Sequence, residues 1–164
     1  MKTTLYLIRQ ASAVAPHDRH DAPLSRLGLR QAEMTRDFLA VRAVDHCYCG
    51  PRRRARQTAG IIADPHGLVP QVVDALDEAN LDAGLFRVTD ALDQLLRRHD
   101  GEALLVVAHH EVHRAYLADV LRLSPEQAAR VPLDSCGISV VVRDGVMTTV
   151  TTLNASFHLQ GLAA

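Results

Sequence analysis

Three times this chain repeats one design, and the repetition restricts the fold more than any other feature. A short strand-like run (residues 5–8, 45–49 and 103–107) breaks off into charged or polar residues, and a helical pattern follows. Residues 5–8 and 103–107 are apolar, bounded and too short for helices, so they read as strands buried on both faces. The residues at the three breaks are Arg9-Gln10-Ala11, Pro51 to Arg54, and His109-His110. Strands alternating with helices predict an α/β three-layer sandwich, with a mostly parallel central sheet and helices on both faces. Such sheets bind ligands at the carboxyl ends of their strands. Asp144-Gly145, between residues 138–142 and 146–153, adds a C-terminal hairpin.

The helices have local signals. Ser25 is an N-cap for a helix whose apolar stripe is expected to be Leu27, Met34, Phe38 and Val41. Ala55, Thr58, Ala59 and Ile62 mark a second helix. Leu85, Val88, Leu92, Leu95 and Leu96 mark a third. Val112, Tyr116, Val120 and Leu121 mark a fourth. Ser124-Pro125-Glu126-Gln127 has the form of a capping box with proline at the first helical position. With 164 residues the chain reads as one domain, residues 1–164.

Composition excludes several classes. Net charge is −1, so no global field draws the chain to nucleic acid or a membrane surface. The arginines at 52, 53, 54 and 56 are a short run without interleaved aromatics, which does not make a nucleic-acid patch. No apolar run approaches a membrane span. Three cysteines (Cys47, Cys49 and Cys136) form no disulfide framework, and with no signal peptide in view the expectation is cytoplasmic. His109, His110 and His113 share helix faces but lack the His-Glu-x-x-His order and a fourth ligand, so no metal or cofactor is expected. His17, His20, His46, His66 and His99 read as surface residues.

An arginine at a strand tip is costly unless an anion meets it. If the three tips converge, two arginines and a histidine share a pocket near helix N-termini, which is a site for a phosphate dianion.

The same residues carry a resemblance. Arg9 after its strand resembles the Arg-His-Gly motif of the histidine phosphatase (phosphoglycerate-mutase-like) superfamily. Pro23-Leu24-Ser25-Arg26-Leu27-Gly28 resembles its Pro-Leu-Thr-x-x-Gly helix entry. Residues 51–59 resemble its Ser-Pro-x-x-Arg-Ala-x-Gln-Thr-Ala block, Val106-Val107-Ala108-His109 its Val-Ser-His motif, and residues 153–159 its Leu-Asn-x-x-x-His-Leu tail. The resemblance implies the small branch, acting as a cofactor-independent phosphomonoesterase on a small phosphorylated molecule or a phosphoprotein; a homodimer is compatible with it. It implies that Arg9, Arg54 and His109 hold the phosphoryl group. Glu78 falls where many members carry the acid that protonates the leaving oxygen, with Asp77 or Asp82 as substitutes. Ser12, His110 and Glu111 would lie just outside this set.

One departure bears on function. In the family the histidine after the first arginine is the nucleophile that becomes phosphorylated, and here that position is Gln10. An amide nitrogen has no available lone pair, so Gln10 cannot form a phosphoenzyme. Three readings follow: a phosphatase whose nucleophile has been replaced by engineering, a natural pseudophosphatase that binds a phosphorylated ligand, or a pocket turned to other acid–base chemistry. Glu111, a negative charge beside the pocket, is a second departure. It must either point away or meet a cationic or hydroxylated part of the ligand.

Overall fold

A computed structural model describes residues 1–14, 21–77 and 85–162, with the side chains of residues 85 and 86 outside that description. In chain order it contains β1 (Lys2–Arg9), α1 (Arg26–Leu39), β2 (His46–Cys49), α2 (Arg53–Ala63), β3 (Gln71–Val72) and α3 (Leu85–Arg98). These are followed by β4 (Ala103–Ala108), α4 (His110–Leu121), α5 (Pro125–Ala128), β5 (Ile138–Asp144) and β6 (Met147–Ala155). The sheet order is β3-β2-β4-β1-β5-β6. Pairings among β1, β2, β3 and β4 are parallel, while β5 and β6 run antiparallel. The expected α/β fold, mostly parallel with a terminal hairpin, is the observed one.

The two central strands are the most apolar, as burial on both faces requires. Leu5, Ile8, Leu104, Leu105, Val106 and Val107 are fully buried. One core lies against α3 and α4, through Val88, Leu92, Leu96, Val112 and Tyr116. The other lies against α2, through Ala55, Ala59 and Ile62, and takes in both Cys47 and Cys49. Among the described residues no helix is long and apolar enough to cross a membrane.

Local signals hold at several ends. Ser25 accepts from the Gly28 amide at the start of α1. Ser124 and Gln127 form a reciprocal capping box on α5. Gly145, with φ of 59°, turns the hairpin.

Two expectations are corrected. The buried stripe of α1 is Gly28, Ala32, Thr35 and Leu39. Phe38 is 42% exposed and Val41 86% exposed. Small residues face inward because the helix runs against the backbone of Ser12, where a Cβ on Gly28 would lie 1.9 Å from the Ser12 carbonyl oxygen. Phe38 instead stacks on His158, ring centroids 5.1 Å apart. His99 is not at the surface: it is buried, with Nε2 2.7 Å from the Tyr48 hydroxyl and Nδ1 2.7 Å from Glu102.

Candidate functional site

The tip of β1 is fixed on every side. The Arg9 amide donates to Gly137 at 3.3 Å, and the Arg9 carbonyl accepts from Cys136 at 2.9 Å. The Gln10 amide donates to Ala108 at 3.0 Å. The Ala11 amide donates to Thr58 Oγ1, and the Ser12 amide to Gln31 Oε1, each at 3.0 Å. The Ser12 carbonyl accepts from the Ser25 amide and hydroxyl at 2.9 and 3.1 Å. Three successive residues after the end of β1, Gln10 to Ser12, are thereby held without belonging to a helix or strand, which is the rigidity a binding site requires.

Around that tip, Arg9, Gln10, Ser12, Arg54, His109 and Ser135 line a cavity of about 180 Å³, with Ala11 and Ala13 completing the lining among the described residues. The three strand-tip segments therefore do meet. Arg54 stands in the first turn of α2 and His109 is the N-cap of α4, so two helix N-termini face this region. Oriented amides and guanidinium groups favour the same charge sign. Gln10 is buried, 5% exposed.

Arg9 is half-buried and also donates a short hydrogen bond to the Leu133 carbonyl. Burial pulls its guanidinium below the ordinary arginine pKa, helped by Arg114 and Arg54 and opposed by Asp134 and Cys136. It stays cationic at neutral pH, since arginine is not deprotonated in proteins. His109 Nδ1 accepts from the Glu111 amide at a long 3.5 Å, which leaves the proton of the neutral ring on Nε2.

The rings of His110 and His109 are tilted at 46° to each other, with centroids 4.1 Å apart. Burial holds the His110 pKa down, and the neighbouring His109 and Arg9 add to this against Glu111. Glu111 is compensated within α4: its Oε1 lies 2.8 Å from His110 Nε2 and 2.7 Å from Arg114. Its charge is turned toward those two groups, so the like-charge conflict anticipated from the sequence is met internally. Glu78 and Asp82 lie outside the described residues. Asp77 is paired with Arg52, Nε to Oδ1 2.9 Å.

Sequence reasoning missed the loop that closes the pocket. Ser135 lines it and its hydroxyl is 3.3 Å from that of Ser12. Asn154 holds this loop, accepting from the Asp134 amide at 2.8 Å and donating to the Asp134 carboxylate at 2.9 Å. The only local signal is the Leu153-Asn154 pair. Arg9 and Ser135 also border an adjoining polar groove of about 460 Å³, with Gln31, Asp134, Ser156 and Gln160. His158, read as a tail packing residue, bonds Thr35 Oγ1 through Nε2 at 3.0 Å and does not line the pocket.

A family model for the histidine phosphatase superfamily (branch 1) matches residues 5–86 and 82–156. No curated protein sequence matches significantly. Solved structures do match. One is a histidine-to-alanine mutant of phosphoserine phosphatase from Entamoeba histolytica in complex with phosphoserine: TM-score 0.82, 17% identity, covering 96% of this chain and 99% of that one. Another is the alpha-ribazole phosphatase from Shigella flexneri: TM-score 0.81, 18% identity, covering 93% and 96%. A third is the mycobacterial glucosyl-3-phosphoglycerate phosphatase: TM-score 0.79, 16% identity, covering 95% and 100%.

Proposed function

The chain belongs to the histidine phosphatase superfamily, and from that premise we propose that it binds a small polar phosphate monoester whose phosphoryl group sits between Arg9, Arg54 and His109. The supporting observation is the shared cavity: two guanidinium groups, one imidazole and Gln10 line about 180 Å³. That is below the roughly 300–1,000 Å³ of a pocket for a drug-sized ligand, so it suits an anionic head group. The rest of the ligand lies in the adjoining groove, where the Asp134 carboxylate, Gln31 and Ser156 favour hydroxyl or ammonium groups. Three buried thiols without a disulfide support a reducing, cytoplasmic setting.

The chemistry follows from what the pocket holds. Arg9 and Arg54 neutralise a dianion, and the Nε2–H of His109 donates to an equatorial oxygen as charge builds there. Gln10 occupies the position of the family nucleophile. Its amide can donate to the phosphoryl group but cannot attack phosphorus. The chain therefore holds the ester and turns it over slowly. Loss of a nucleophile costs about 10⁴–10⁶ in rate where measured as a triad knockout.

The test pairs binding with turnover. Inorganic phosphate should raise the melting temperature of the native chain, while hydrolysis of an aryl phosphate stays close to background. Gln10→His should raise hydrolysis by about 10³-fold or more. If phosphate stabilises neither form, the reading fails.

A further inference from the structure

We infer that His46, His99 and Glu102 form a binding site for one divalent transition-metal cation, with zinc the best chemical match. His46 opens β2, Glu102 immediately precedes β4, and His99 follows the last residue of α3. All three stand at the amino end of the parallel strands, the opposite end of the sheet from the phosphate pocket, so this inference does not rest on the proposed function.

The geometry is that of an assembled ligand set. Glu102 Oε2 lies 3.0 Å from His46 Nε2 and 2.7 Å from His99 Nδ1. One nitrogen from each ring and one carboxylate oxygen all lie within 4.8 Å of one another. Tetrahedral ligands at about 2.0–2.1 Å from zinc stand about 3.3 Å apart, so Glu102 Oε2 needs to draw back from the two ring nitrogens by only about 0.3–0.6 Å. Two imidazoles and one carboxylate are a donor set suited to zinc, with a fourth position left for water. The cluster is reachable, with side-chain exposures of 31% for His46 and 44% for Glu102.

The ring of His99 is also held from its far side. The other nitrogen of His99, Nε2, is 2.7 Å from the hydroxyl of the buried Tyr48. With metal on Nδ1, Nε2 carries the proton and donates to the phenol oxygen, which fixes the ring in its ligating orientation as a metal-bound histidine requires. Without metal, both ring N–H groups that face Glu102 donate to its carboxylate. A metal would take the two ring nitrogens that face Glu102 and leave the outer ring nitrogens as N–H donors.

The experiment uses zinc itself on the native chain. Calorimetric titration should give one zinc per chain. At about hundred-fold excess over the dissociation constant, the melting temperature should rise by about 5 °C or more and fall back with chelator. Cobalt(II) should give the intense visible bands of a four-coordinate site. His46→Gln and Glu102→Gln should abolish both effects. The inference is overturned if zinc gives no one-to-one isotherm, or if both variants retain the same shift. Should either variant fold poorly, weak octahedral-type cobalt bands in the native chain would overturn it equally.

Discussion

The imidazole of His113 donates from Nε2 to the carbonyl oxygen of Ile8 at 2.9 Å, so α4 grips β1 one residue before Arg9, which lines the strand-tip cavity proposed to hold phosphate. His113 is buried, 1% exposed. Burial is the main reason its pKa falls to about 4, with His109 and His110 pushing the same way and backbone carbonyls opposing.

That burial makes stability depend on pH. At pH 7 the ring is neutral in both states. As pH drops below the ordinary histidine value of about 6.5, the unfolded chain takes up a proton that the folded chain refuses until about pH 4. Stability is therefore lost between those limits, by up to about 3 kcal/mol. His110 and His158, also held down by burial, act in the same direction. Urea unfolding at pH 7 and pH 5 should show the loss. His113→Leu should cost about 1–2 kcal/mol at pH 7 and flatten the dependence.

Gly28 is the second fixed point. A Cβ there would sit 1.9 Å from the Ser12 carbonyl oxygen, which is backbone and itself held by Ser25. Gly28→Ala should destabilise by about 2–3 kcal/mol or more. It should also weaken phosphate binding, because the displaced segment is the one that carries Ser12. Gly60→Ala, on the neighbouring helix with open space around it, should leave both unchanged or improved. Melting curves with and without phosphate separate the two cases.

What the sequence made legible was the part carried by consecutive residues. Arg9, Arg54 and His109 each end or follow a strand, and parallel topology brings such ends together whatever the exact packing. The face of α1 was not legible, because apolarity favoured Leu27 and Phe38 whereas the close backbone approach at Gly28 rotated the helix onto small residues. His99 was misjudged for a related reason, since its partner Tyr48 lies on a strand distant in sequence; the hold of His113 on Ile8 was out of view for the same cause. The Asp134–Ser135 edge of the pocket was invisible, since Asn154 organises it from the far side of a hairpin.

That organising role is testable. Asn154 adopts a left-handed backbone, φ of 48°, and both bonds to Asp134 depend on its side chain. Asn154→Ala should cost about 2–3 kcal/mol, combining backbone strain with the lost hydrogen bonds. Asn154→Gly should recover the strain share of stability but not phosphate affinity, because the loop beside Arg9 stays untied. Equal recovery of both would show that the side chain does not position the pocket.

The sharpest probe of the pocket changes one atom type. Gln10 shares its cavity with Arg9 and Arg54. Gln10→Glu keeps shape and reach but puts a carboxylate where an amide stood. Two guanidinium groups then have an internal counter-ion, so folding stability should hold or rise slightly. An incoming phosphate must displace or face that negative charge, and its affinity should fall by about 100-fold or more, roughly 3 kcal/mol. Gln10→His and Gln10→Glu thus diverge: the first should gain turnover, the second should lose binding. Isothermal titration with phosphate decides the matter, since an affinity unchanged in Gln10→Glu would mean that residue 10 does not face the bound anion.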